Sequence, residues 1–111
     1  MLARRLHSTS GDSPYATLKV NLALEGLPRF TCRPDDTRTA GPTVHLLPQG
    51  DGAWDAVADA WRTAREGLLA DEPTIEMYLH TTVDGSLRDA DGRHSGALFV
   101  QWVPTAPEGG W

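Results

Sequence analysis

At 111 residues, with 40% hydrophobic and 23% charged side chains, the chain has the size of one ordinary domain with room for a modest core. Its net charge is −5, and no Lys/Arg cluster occurs beyond Arg4-Arg5, which argues against a nucleic-acid surface. Cys32 is the only cysteine, so an internal disulfide and a multi-cysteine metal site are both excluded, and a reducing, intracellular setting is expected.

In chain order, residues 1–14 read as the end of a short helix, MLARRL, followed by a Ser/Gly/Asp/Pro linker; the segment lacks the apolar stretch of a secretory signal. No apolar run approaches membrane-spanning length, so no membrane span is expected. From Ala16 to Leu24 the pattern alternates strictly. A strand there places Ala16, Leu18, Val20, Leu22 and Leu24 on one face and Thr17, Lys19, Asn21 and Ala23 on the other. The proline-rich stretch 25–42 reads as loop anchored by Leu27 and Phe30, and TVHLL (43–47) as a second strand.

The period then changes. Trp54, Val57, Ala58, Trp61, Ala64 and Leu68 recur at three-and-four spacing, the mark of a helix with one apolar stripe. Asp51 is the expected N-cap, Asp55 suits the positive end of the dipole, and Trp54 and Trp61, seven apart, are expected to pack on a sheet. TIEMYLHTTV (74–83) alternates again, with Ile75, Met77 and Leu79 inward and Glu76, Tyr78 and His80 on the opposite face. DGSLRDADGR is turn chemistry. HSGALFVQWV (94–103) is the last strand, with Trp102 expected on the face of Leu98 and Val100, and residues 105–111 read as a flexible tail. The expected fold is α+β: a mixed or antiparallel sheet in the order β-β-α-β-β, with one main helix packed on one face.

Chemistry-bearing side chains are sparse. His7, His45, His80 and His94 share no metal-pair spacing; His45 and His80 meet only if their strands are neighbours. Cys32 has no local histidine to activate it and reads as a partly buried structural thiol. The acidic residues of the helix fit a solvated face. There is no G-x-S-x-G elbow, no G-x-G-x-x-G and no phosphate-loop motif. Taken on residues alone, this is a small α+β domain without a self-contained active site.

An ordered set of phrases adds to that reading: LKVNLALEGLPRFTC, GPTVHLLP, the helix, EPTIEMYLHTTVDGSL, DGRHSGALFVQWVP and a closing GGW. Together they resemble the phytoene desaturase-like FAD-dependent oxidoreductases of the amine oxidase superfamily. The branch is that of pyridine nucleotide-disulfide oxidoreductase domain-containing protein 2 and its bacterial relatives. The resemblance runs from Ser13 to Trp111, and it covers only the substrate-domain middle segment of such proteins.

The resemblance implies that residues 15–104 form a substrate-side domain, with FAD held elsewhere. No cofactor is then bound by this chain alone, and its partner is the FAD-domain remainder of the protein. It further implies an apolar, polyene-like small-molecule substrate, and a segment inactive by itself. A cytoplasmic location is expected, and a mitochondrial matrix one is compatible with this branch. Lys19, Asn21, Tyr78, His80 and Gln101 are the expected substrate-facing residues, on a face that a helix of the missing domain would otherwise cover. Two rival readings stand beside this one. The first is a free-standing binding or dimerisation module without catalysis, whose partner is a second copy; the second is a cofactor-free isomerase using His80 or His94 as base.

Overall fold

The computed structural model describes residues 13–32 and 41–111, so the expected helix end before residue 13 lies outside the described residues. Five elements follow in the expected order: β1 (Tyr15–Leu24), β2 (Thr43–Leu46), α1 (Ala53–Arg65), β3 (Ile75–Tyr78) and β4 (His94–Pro104). The fold is α+β, as the periodicities require. All four strands form one sheet in the order β1-β4-β3-β2, antiparallel at each pairing. β1 and β2 are therefore the two edges, and α1 links two strands that lie side by side.

α1 packs on β4. Its buried residues are Ala60 and Ala64, whose small side chains let the helix approach closely. The helix starts differently from expectation: Gly52 is the N-cap, without a side-chain cap, and Asp51 stays outside. It ends at Arg65 on a Schellman motif. Gly67 takes φ +82°, its N–H donates to the Ala64 carbonyl at 3.2 Å, and the Leu68 N–H donates to the Thr63 carbonyl at 3.0 Å. Leu68 thus falls beyond the helix and is exposed rather than part of its stripe.

The two helix tryptophans part company. Trp61 meets Tyr15 edge-on, ring centroids 6.5 Å apart, and carries the Arg65 guanidinium 4.7 Å above its ring. Trp54 is 85% exposed. It shares the stripe with Trp61 but sits two turns earlier, about 10 Å along the axis, beyond anything for it to pack on.

β3 is shorter than its alternation suggests. Pairing stops at Tyr78, and His80–Thr82 form a 3-10 turn in which the Thr82 hydroxyl and N–H both donate to the Leu79 carbonyl, at 2.6 and 3.1 Å. Leu79 donates its own N–H to the Pro42 carbonyl at 2.7 Å. A threonine that captures a nearby carbonyl competes with the ladder, and here it wins. A second 3-10 turn, Gly85–Leu87, is capped by Asp84, which accepts from the Ser86 hydroxyl and the Ser86 N–H. Those two bonds, the hydroxyl's first, hold the Asp84 carboxyl below its ordinary value.

The end of β4 departs from simple alternation. Leu18 lies opposite Val100 but Ala16 lies opposite Val103, so β4 carries one extra residue there. Trp102 takes φ +54° at this bulge, and Val103, 6% exposed, takes the inward place expected for Trp102. Residues 105–111, expected as a tail, carry several hydrogen bonds. The Glu108 N–H donates to the Gly67 carbonyl at 2.8 Å, the Thr105 N–H to the Pro14 carbonyl, and the Trp111 indole to the Thr105 carbonyl. Cys32 is exposed, not partly buried: it sits in a turn beyond the end of β1.

Among the described residues the core is small: Ala60, Ala64, Met77, Leu79, Ala97 and Val103 are buried, with Pro104 beside them. The apolar face of the sheet is left partly uncovered, with Leu18, Val20 and Leu46 at 42%, 38% and 43% exposure. Their alternation is real, but among the described residues no second layer closes over the β1 and β2 ends of that face.

Candidate functional site

Register brings the polar side chains of the sheet into rows. Opposed residues of antiparallel strands lie on the same face. One row therefore runs Lys19, Phe99, Glu76, His45 across all four strands, and the next runs Asn21, Ala97, Tyr78, Thr43. Period-two alternation in four separate segments thus converges on one polar and aromatic face, opposite the face of Leu18, Val20, Leu98 and Met77.

Glu76 is the hub of this face. One carboxylate oxygen accepts from the Tyr78 hydroxyl at 2.6 Å, and the other accepts from Gln101 Nε2 at 3.4 Å. Gln101 Oε1 accepts in turn from the Thr17 hydroxyl at 2.9 Å. The chain Thr17–Gln101–Glu76–Tyr78 spans β1, β4 and β3 and fixes which end of the Gln101 amide is which. Beside it, Lys19 Nζ stands 5.3 Å from the Phe99 ring centre, and Tyr78 meets Phe99 edge-on at 5.2 Å. A lysine over an aromatic ring at a solvent-accessible site gains about 0.5–1 kcal/mol. Asn21 and Tyr78 flank Ala97, whose small side chain is fully buried between them.

Of the five residues singled out in the sequence, four thus share the sheet face: Lys19, Asn21, Tyr78 and Gln101. His80 joins from the 3-10 turn, its ring stacked near Tyr78 with centroids 6.2 Å apart and planes 18° from parallel. Glu76, Phe99 and Thr17 complete the face and were not among those five. Their signal was present, since each alternates in step with a chosen neighbour.

Donation to Glu76 is the main reason the Tyr78 phenol titrates above its ordinary 10.0, with desolvation and the carboxylate charge adding to it. The folded state therefore binds this proton more tightly than the unfolded chain. That contribution to stability is complete below pH 10 and disappears as pH rises through the folded value. Glu76→Gln should bring the Tyr78 phenolate titration back toward 10.0, read by ultraviolet absorbance. An unchanged midpoint would remove Glu76 as the cause.

Elsewhere, Thr81 Oγ1 and His94 Nδ1 are hydrogen bonded at 2.9 Å, with Thr81 buried, so one nitrogen of His94 is engaged within the fold. A cleft of about 540 Å³ opens beside β2, lined by His45, Leu46, Pro48, Gln49, Glu72 and Pro73. Among the described residues no three His, Cys, Asp or Glu side chains gather closely enough to hold a metal ion. None of their helices is long and apolar enough to cross a membrane. No family model, no curated protein and no solved structure matches the chain.

Proposed function

We propose that this chain supplies the substrate-side sheet of an FAD-dependent oxidoreductase of the phytoene desaturase-like group. In this reading the face of Lys19, Asn21, Tyr78 and Gln101 forms one wall of the substrate site. The observation that carries the reading is the polar-aromatic face itself: Lys19, Asn21, Tyr78 and Gln101, from three strands, gathered around Glu76 and Phe99, with Gln101 and Tyr78 hydrogen bonded to Glu76. The ordered phrases that resemble this group give it its name.

The residues present do not fit FAD. The 111 residues contain no G-x-G-x-x-G, and α1 begins at Ala53, with Gly52 as N-cap after a Pro-Gln-Gly-Asp turn, without the glycine-rich phosphate loop that dinucleotides require. In this reading FAD is held by the partner domain that the resemblance implies. The work of this sheet is to bind and orient. Phe99 and Tyr78 offer ring surface to an apolar substrate, Lys19 and Asn21 offer donors at one end, and Glu76 holds Tyr78 in place.

The test is co-expression of the chain with the products of its neighbouring reading frames. A yellow complex that retains flavin is expected, and Tyr78→Phe should lower its kcat/KM about tenfold, the loss of one positioned donor, with unchanged flavin content. Failure of every such product to retain flavin sinks the reading.

A second reading, a non-catalytic binding or dimerisation module, is favoured by the exposure of Leu18, Val20 and Leu46. A cooperative melt and a defined oligomer, without flavin in any pairing, would select it.

A further inference from the structure

We propose that a second copy of this chain docks along the outer edge of β1. The two β1 strands pair antiparallel about a two-fold axis, joining the two sheets into one of eight strands. The inference does not depend on the flavin reading.

The two edges of the sheet are built differently. β2 has four residues, Thr43–Leu46, with Pro42 immediately before it and Pro48 two residues after it. A short strand flanked by proline is a common way to close an edge against further pairing. β1 has ten residues, no proline among them, and a single charged side chain, Lys19. Its register with β4 is unbroken from Leu18 to Leu24, and among the described residues no strand lies on its outer side. A long, regular strand whose outward backbone groups meet no strand among the described residues is a template for another strand.

A second copy fits this edge by charge and by closure. Side chains directly opposite in an antiparallel pair lie on the same face, so the apolar residues of both copies must fall into step. Setting Leu22 opposite its own copy on the axis does this. It puts Val20 opposite the partner's Leu24 and Lys19 opposite the partner's Glu25, an exposed carboxylate just past the strand. Two opposite-charge pairs form, and the alignment that would set Lys19 against itself is disfavoured. The two-fold uses the open edge of both copies at once and leaves a short, proline-flanked β2 at each end of the joint sheet.

The test is sedimentation equilibrium of the purified chain, with circular dichroism to confirm that each variant is folded. A dimer is expected. Lys19→Glu and Glu25→Lys should each weaken it about tenfold or more, because two favourable pairs become two like-charge pairs, and the double variant should recover it. Leu22→Cys in a Cys32→Ser background should cross-link on mild oxidation, since opposed Cα atoms about 4.5–5.5 Å apart lie within disulfide reach. A monomer at all concentrations overturns the proposal. So does a dimer indifferent to the charge reversals and not cross-linked through position 22, which would indicate contact through the faces of Leu18, Val20 and Leu46. Association only with a different protein overturns it equally.

Discussion

Leu79→Ala is expected to cost about 2–5 kcal/mol, the range for removing a large buried aliphatic side chain that its surroundings cannot fully collapse upon. Leu79 is fully buried and is one of the two largest side chains wholly withdrawn from water. It also closes three elements together. Its N–H reaches the Pro42 carbonyl before β2, its carbonyl anchors the 3-10 turn through Thr82, and its Cδ2 lies against Gly96 of β4. With so small a core among the described residues, that cost is a large part of a stability of about 5–15 kcal/mol. Thermal unfolding followed by far-ultraviolet circular dichroism should show a melt lowered by roughly 10 °C or more. A loss under about 1 kcal/mol would mean that the closure at Leu79 is not where this fold is held. Leu18→Ala, at a position 42% exposed, provides the comparison and should cost far less in a monomer.

The second large effect is expected from Gly96→Ala. A Cβ built on Gly96 would stand 2.9 Å from the Tyr78 carbonyl oxygen, 3.6 Å from Leu79 Cδ2 and 3.7 Å from Leu24 Cδ1. The nearest atom is backbone, so no rotamer change relieves the clash; the end of β3 must move away from β4. Two effects oppose each other. Replacing glycine reduces the freedom of the unfolded chain and contributes about 0.4–1 kcal/mol, whereas overpacking a closed site costs about 1–3 kcal/mol. The overpacking term wins, and a net loss of about 1–2 kcal/mol in urea unfolding is expected. Adding Leu79→Ala opens space beside the new methyl without moving the Tyr78 carbonyl, so the double variant should not recover stability. Recovery would show that side-chain crowding, not the strand backbone, sets the constraint.

How much of this was legible in the sequence varies element by element. The strand at Tyr15–Leu24, the helix and the last strand could be read because periods of two and of 3.6 are local properties of the chain. Tyr78 and Gln101 could each be put in the polar phase of its own strand by the same counting, but that the two share a face follows only from the β3–β4 register. Sheet order is what counting alone could not supply, and Glu76 becomes a hub only because β3 and β4 are neighbours. Trp54 and Trp61 look equivalent on a helix wheel, yet only one has a sheet beneath it, and that depends on where the axis crosses β4. The early end of β3 turns on a hydroxyl-to-carbonyl bond from Thr82, which competes with pairing and leaves no trace in hydropathy.

The bulge at Trp102 bears on how this strand is to be aligned. β4 is written in two phases, with Leu98 and Val100 in one and Val103 in the other, and Trp102 stands at the break. A bulky side chain held at φ +54° costs on the order of 1–3 kcal/mol, so the break is imposed by its surroundings rather than by local preference. Any comparison that counts alternation straight through Gln101 and Trp102 will exchange core for surface in the last turn of the strand. It would set Val103, a core residue, against solvent-facing positions of another protein unless a one-residue gap is placed at the bulge.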